Sequence, residues 1–387
     1  MSQADRAAVA QAIQRLRRLT RQLAASTLPL SGNEAIERIP ASPPVWVYGH
    51  VGWFQERWCL RRPGPGAAPS PSRLPAADAL FDAVRVPPQN RWSLDLPPLE
   101  SLDPWLERVL DETLARLEYE ADDDTGLYYH RLALCHEAEH VEAMVCARNA
   151  LGLSQPGPEF DPPEPLHLSA DVKVAGVNAL IGSAPDDGFA FDTEQPIHPV
   201  HLEPFDIALQ PVTNAEFLHF VQDGGYHRPQ FWPAGAAPAL QGTDARSCPV
   251  HWRRVEDRWQ MRWFDRWIPL EPFAPVMLID AFEAQAWCAW ANCRLPTESE
   301  WEYAAASVPG FEWGHSVWEW TASSFLPFPG FEPAPYRDTP EEAYRSHRVV
   351  RGGSFATPRE ALDRHRRRLL RPERHDTFTG FRTCALR

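Results

Sequence analysis

Apolar positions recur with helical spacing through the first 150 residues. Within 4–28, Val9, Ile13, Leu16, Leu19 and Leu23 fall on one face of a predicted helix. A second helix is predicted to start near Pro43 and Pro44 and to run through VWVYGHVGWFQERWCLRR, breaking at the Pro/Gly/Ser/Ala-rich stretch 63–76. A third spans about 103–120, with Asp103 as its N-cap, Pro104 at the first helical position and Leu106, Leu110, Leu114 and Leu117 at helical spacing. A fourth covers 127–151 and ends at Gly152, a residue suited to the left-handed turn that closes helices. Four long helices in succession predict a four-helix bundle.

The pattern changes after that. Residues 154–166, SQPGPEFDPPEPL, read as a proline-rich linker. Downstream, short β-like runs alternate with Gly, Pro and Trp, and only two short helices are predicted, at 213–222 and 279–291. This describes an α+β domain with much irregular backbone. The expected division is a bundle at 1–153, a linker at 154–175 and a mixed domain at 176–387, which suits a 387-residue chain.

Composition adds three points. Sixteen Trp and 40 Pro predict irregular backbone pinned by large aromatic anchors. A net charge of −14 argues against a nucleic-acid partner, which needs a basic face. The local exception is the run Arg364, Arg366, Arg367, Arg368, Arg371 and Arg374, either a solvated face or a set facing an anionic substrate group. Seven cysteines without paired spacing fit reduced thiols. No run approaches the roughly 18 apolar residues of a membrane span. The N-terminus reads as a polar amphipathic helix rather than a signal peptide, so a cytoplasmic protein is expected.

The candidate chemistry lies in the bundle. His136-Glu137-Ala138-Glu139-His140 places two imidazoles at i and i+4, one above the other on one helix face. Glu137 makes the string read HExxH, the pattern of zinc proteases, but Glu142 follows at HxxxHxE spacing and the downstream domain is not protease-like. His50 lies on the second helix among aromatics, where a buried imidazole without a partner is costly. Three imidazoles with no carboxylate suit Fe(II) as well as zinc or copper and leave coordination positions open.

Four strings carry a resemblance over nearly the whole chain: RLPTESEWEYAAA (294–306), SVWEWTASSF (316–325), RVVRGGSFATPR (348–359) and FTGFRTCALR (378–387). They resemble the sulfatase-modifying-factor domain, a C-type-lectin-like fold of the formylglycine-generating-enzyme type, while the first half resembles a DinB-like four-helix bundle. The pairing is similar to the ergothioneine sulfoxide synthases and their ovothiol and selenoneine relatives. The resemblance implies an Fe(II) cofactor held by His50, His136 and His140. It also implies O2-dependent coupling of a sulfur or selenium donor to the imidazole ring of hercynine, with the active site between the two domains. Open coordination positions would turn a three-body encounter into an intramolecular one.

The same resemblance suggests further roles. Glu139, where ergothioneine enzymes often have Gln, would pair with the trimethylammonium group of hercynine. Arg91 in VPPQNRWSLDLP (86–97) would reach a carboxylate or hydroxyl of the donor, and Arg368, Arg371 and Arg374 would face an anionic group. Arg368-Leu369-Leu370 stands where γ-glutamylcysteine-using members have an Asn-Trp-Asp-like stretch, which counts against that donor. Phe328 stands where relatives often show the catalytic Tyr; Tyr336 is the nearest candidate, with Tyr128 and Tyr129 as others. Segment 86–97 and the HExxHxEA helix look like the selenoneine synthase branch, whose donor is a selenosugar; cysteine and γ-glutamylcysteine are the alternatives. The rivals from other classes are a formylglycine-generating oxidase, a non-enzymatic ligand-binding protein on a lectin-like fold and a DinB-like thiol transferase.

Overall fold

A computed structural model describes residues 6–25, 41–62, 68–166, 170–185, 187–236, 246–336 and 343–386. The chain forms two compact units: Met1–Pro156 with Asp186–Phe189 and Thr357–Ala361, and Gly157–Pro185 with Ala190–Ala356 and Leu362–Arg387.

The first unit is built on α1 (Arg6–Ala25), α2 (Pro44–Gln55), α3 (Leu99–Leu117) and α4 (Asp124–Ala150). α1 and α2 each pack on the other three helices. α1 buries Val9, Ile13, Leu16 and Leu23 of the predicted stripe and leaves Leu19 half-buried; the ends of the 4–28 expectation lie outside the described residues. In α2 every residue from Trp46 to Gln55 is buried, which suits a helix enclosed on all sides. Two glycines allow its close packing. A Cβ on Gly49 would lie 2.3 Å from the Phe81 ring, and one on Gly52 2.7 Å from Leu106. α2 runs on into a π-helical turn, Glu56–Leu60.

α3 starts a turn earlier than expected, at Leu99, and Pro104 sits inside it. Leu99 and Leu102 bury apolar surface that the shorter helix would leave outside. Asp103 is therefore not a cap; it accepts from Arg21 Nε (2.7 Å) and Tyr48 OH (3.0 Å). α4 is capped by Asp123, which accepts from Gly126 N (2.7 Å). It closes with Gly152 N→Asn149 O and Leu153 N→Arg148 O, both 3.0 Å, around Gly152 at φ 67°, so the expected glycine stop holds. The two downstream segments join this unit through Phe189, packed on Tyr128 (5.4 Å between centroids), and Glu360, paired with Arg15.

The second unit has thirteen strands among the described residues. They are β1 (Val172–Val174), β2 (Val177–Ile181), β3 (His198–Leu202), β4 (Phe205–Ile207), β5 (Trp252–Val255), β6 (Arg258–Trp263), β7 (Arg266–Pro269), β8 (Cys293–Arg294), β9 (Trp318–Ser324), β10 (Arg348–Gly352), β11 (Arg368–Leu370), β12 (Thr379–Gly380) and β13 (Cys384–Ala385). They form sheets ordered β1-β4-β13-β8 and β11-β10-β9-β12, with β2-β3 and β5-β6-β7 separate. The 154–175 stretch expected as a linker contains β1, and Leu166 N bonds Phe273 O at 2.8 Å. Pairing of the Val172–Val174 backbone with β4 draws it into this unit.

Its α-helices among the described residues are α5 (Asn214–Gln222), α6 (Ala281–Ala291) and α7 (Glu298–Ser307). The first two match expectation, and α7 was not predicted. Its signal was present: Thr297 and Glu300 make a capping box. Tryptophan anchors the irregular backbone as expected: Trp301 donates to Glu319 Oε2 (2.7 Å) and Trp320 to Ile279 O (3.0 Å), both rings fully buried.

Candidate metal centre

α2 supplies His50 and α4 supplies His136 and His140. Helical spacing puts the last two on one face, and packing of α2 on α4 brings His50 to them. One ring nitrogen from each lies within 4.8 Å of the other two. The ring centroids are 5.0 Å (His50–His136), 4.9 Å (His50–His140) and 4.6 Å (His136–His140) apart.

The neighbours fix these rings. His50 Nδ1 lies 2.7 Å from Phe81 O. A carbonyl only accepts, so Nδ1 carries the proton and Nε2 keeps its lone pair, the arrangement usual for metal-binding imidazoles. His50 also stacks on Trp46 (4.6 Å, 13°), and His136 stacks on Phe54 (3.6 Å, 7°). Burial, with the His140 ring as the next cause, holds His50 and His136 well below the ordinary imidazole range. Burial and then the charge of Arg91 bring His140 down to about 4. All three are therefore neutral near pH 7, with lone pairs available to a cation and no proton to displace.

The donor set fits a divalent transition ion. Three neutral nitrogens meet at one place, and no carboxylate or thiol joins them in the cluster among the described residues. Three protein ligands leave coordination positions open.

A model of the sulfatase-modifying factor enzyme 1-like domain matches residues 159–316. The hercynine oxygenase of Mycolicibacterium smegmatis is 31% identical over 88% of this chain and 90% of its own length. That of Mycolicibacterium thermoresistibile is 30% identical over 88% and 86%. The chain belongs to the hercynine oxygenase family. A formylglycine-generating enzyme of Streptomyces coelicolor is 30% identical over 45% of this chain and 62% of its own length, a match that omits more than half of the present sequence.

Relative to this family core, the other predicted residues sort by environment. Glu137 is not a general base beside the histidines. It is buried and accepts from Arg17 Nε and Nη2 (3.0 Å each) and Thr20 Oγ1 (2.8 Å), so the HExxH reading fails on orientation. Glu139 is exposed on α4 next to His140. Arg91 stands close to the centre, with its guanidinium 3.7 Å above the Trp46 ring that backs His50. It donates to Ser42 Oγ (2.8 Å) and Val86 O (3.1 Å).

Tyr336 lies in the second unit and is half-buried. The arginine run is not one face. Arg366 and Arg367 are buried; Arg367 donates to Glu298 through Nε (2.7 Å) and Nη2 (3.0 Å), and Arg366 approaches Glu194 at 3.4 Å. Arg368 lies over Trp318 at 5.4 Å, Arg374 pairs with Asp376, and Arg371 is exposed. Phe328 is a core residue with Arg367 4.0 Å over its ring, an environment with no need of a phenol.

Sequence reasoning missed the supports. The Phe81 carbonyl carries no motif. The aromatic walls were legible, because Trp46 and Phe54 stand four residues either side of His50 and share its helix face.

Proposed function

We propose that the protein is a non-haem Fe(II)- and O2-dependent enzyme that joins a chalcogen donor to the imidazole ring of hercynine, with a selenosugar as the donor. The observation that carries the reading is the cluster of three neutral histidines, which among the described residues includes no carboxylate or thiol. The likeness to hercynine oxygenases along 88% of the chain supports it. The helical unit is read as DinB-like and as the source of all three ligands.

When bound, iron would supply a redox-active positive centre with open positions, lowering the pKa of a thiol or selenol held there. The residues of the chain do the rest. Phe81 O holds the His50 tautomer, Trp46 and Phe54 keep water from two ring faces, and Arg91 places a cation within reach of a donor carboxylate or hydroxyl. Glu139, beside His140, offers a carboxylate to the quaternary ammonium of hercynine, which has no hydrogen to donate.

Selenium is favoured over γ-glutamylcysteine by Arg368-Leu369-Leu370. This stretch forms β11, where Leu370 is buried and no carboxylate is present. The test gives iron-loaded protein hercynine with a selenosugar, cysteine or γ-glutamylcysteine under air, with products read by mass. The selenium adduct of hercynine is expected. Turnover with γ-glutamylcysteine alone would move the donor to the sulfur branch, and no turnover with any donor would sink the reading.

A further inference from the structure

An unbroken row of aromatic side chains leaves the histidine centre. The His136 ring lies flat on Phe54 (3.6 Å, 7°), and Phe54 meets Trp58 at 6.1 Å. Trp58 stacks on Tyr129 (5.8 Å, 9°), and Tyr129 meets Tyr128 edge-on at 5.0 Å. All belong to the helical unit. Phe54 is buried, whereas Trp58, Tyr129 and Tyr128 are half-buried, so the row runs from the interior to rings that touch solvent.

Packing asks only for apolar bulk at these positions. Indole and phenol are also the aromatic side chains that give up an electron most readily, and phenylalanine is not. Phe54 is therefore a bridge, and Trp58 and the tyrosines are stations. Arg57 lies 5.0 Å over Trp58 and Arg62 4.0 Å over Tyr129. Both guanidiniums oppose a lasting cation radical on these rings, so the hole is driven to a group that can shed its charge as a proton. A phenol at the solvent edge does this.

We propose that Trp58, Tyr129 and Tyr128 form an electron-supply line that quenches oxidising equivalents stranded at the three-histidine centre when hercynine is absent. The proposal rests on the iron reading above. The oxidant is dioxygen or a peroxide reacting at the centre. Tyr129 loses one electron, which passes through Trp58 and across Phe54 to the His136 edge and reduces that oxidant by one equivalent. The phenolic proton leaves to solvent, from which the reduced oxidant takes one up. A soluble reductant of the thiol or ascorbate class then returns one electron and one proton to the phenoxyl radical. The net result is one equivalent consumed at the centre, one reductant oxidised by one electron and Tyr129 restored.

The experiment exposes iron-loaded protein, without hercynine or donor, to hydrogen peroxide. Freeze-quenched electron paramagnetic resonance and peptide mass mapping are the readouts. A tyrosyl signal is expected in the wild type and is lost when Tyr128→Phe and Tyr129→Phe are combined. Oxygen adducts should sit on Trp58 and Tyr129 in the wild type and rise several-fold on His50, His136 and His140 in Trp58→Phe. An iron-loaded wild type with no aromatic radical, or the same adduct distribution in Trp58→Phe, overturns the proposal. If Trp58→Phe holds less iron, Tyr129→Phe decides by the same adduct shift, since it keeps the stacked ring. A protein that binds iron and couples hercynine yet shows no shift keeps the function and loses this inference; one that binds no iron loses both.

Discussion

His136 in the helical unit and His365 in the mixed unit are both buried, but their surroundings make them different groups. His365 Nδ1 lies 2.8 Å from Glu302, a buried carboxylate that also accepts from Gly182 N (2.7 Å) and pairs with Arg351. The three clustered histidines of the helical unit face one another and aromatic rings, and His50 spends its Nδ1 proton on a neutral carbonyl. Both units bury carboxylates. The helical unit turns Glu137 away from the histidines and occupies it with Arg17 and Thr20, while the mixed unit turns Glu302 toward one. An imidazole beside a carboxylate spends a ring nitrogen on a structural hydrogen bond. One without a carboxylate stays neutral and keeps a lone pair for a cation.

The largest effect that could break this contrast is His140→Ala. Removal of a ligand should cost more than the roughly 10–100-fold that losing an outer partner costs in metal affinity. Stoichiometric iron, measured by elemental analysis, and coupling of hercynine should disappear together. Coupling at the wild-type rate by an iron-free variant would refute the assignment.

Glu302→Gln tests the other side of the contrast. Breaking a buried pair and leaving Arg351 charged costs about 3–5 kcal/mol. Thermal unfolding followed by circular dichroism should show the loss, with iron content of the folded protein unchanged. The pH dependence follows from the same carboxyl. Burial alone would raise its pKa, but Arg351 and then His365 outweigh that and hold it near 2. A depressed carboxyl stabilises the fold above its unfolded value of about 4.3, and that stability is lost as pH falls from there toward 2. Glu302→Gln should remove this part of the acid sensitivity. An equally steep acid limb in the variant would show that other groups supply it.

Gly49→Ala has a smaller effect and acts through position alone. Its new Cβ would overlap the buried Phe81 ring at 2.3–2.7 Å, and the carbonyl of Phe81 orients His50. Ring and carbonyl must shift together, so iron affinity should fall by about 10–100-fold, the range for an outer-shell partner. Titration with Fe(II) measures this, and unchanged affinity would mean the carbonyl bond is dispensable.

The parts legible in the sequence were those set by local periodicity. The i, i+4 histidine pair, the stripe on α1 and the glycine stop of α4 follow from helix geometry within a few residues. What was not legible depends on long-range packing. The identity of Asp103 as a partner of Arg21 and Tyr48 needs α1 and α2 beside α3, although as a string it reads as an N-cap. The arginine run divides because β11 and its flanks sink Arg366 and Arg367 onto Glu194 and Glu298, distant in sequence. HExxH misleads for the same reason, since only the neighbouring helix shows that Glu137 belongs to Arg17.

The smallest expected effect sharpens the contrast at the surface. Glu139 is exposed beside His140, so its charge is screened by water and contributes little to folding. Glu139→Gln should leave the melting temperature and iron content where they are. If the carboxylate faces the quaternary ammonium, the amide loses up to about 1 kcal/mol of attraction, the upper end for an exposed charge pair. KM for hercynine should then rise about 2–5-fold with kcat unchanged, because the lost contact is equal in the bound substrate and the transition state. A neutral amide cannot replace a point charge here, since the trimethylammonium offers no hydrogen-bond donor for its oxygen. An unchanged KM would make Glu139 a solvated helix residue and leave the cation to the aromatic faces around His50.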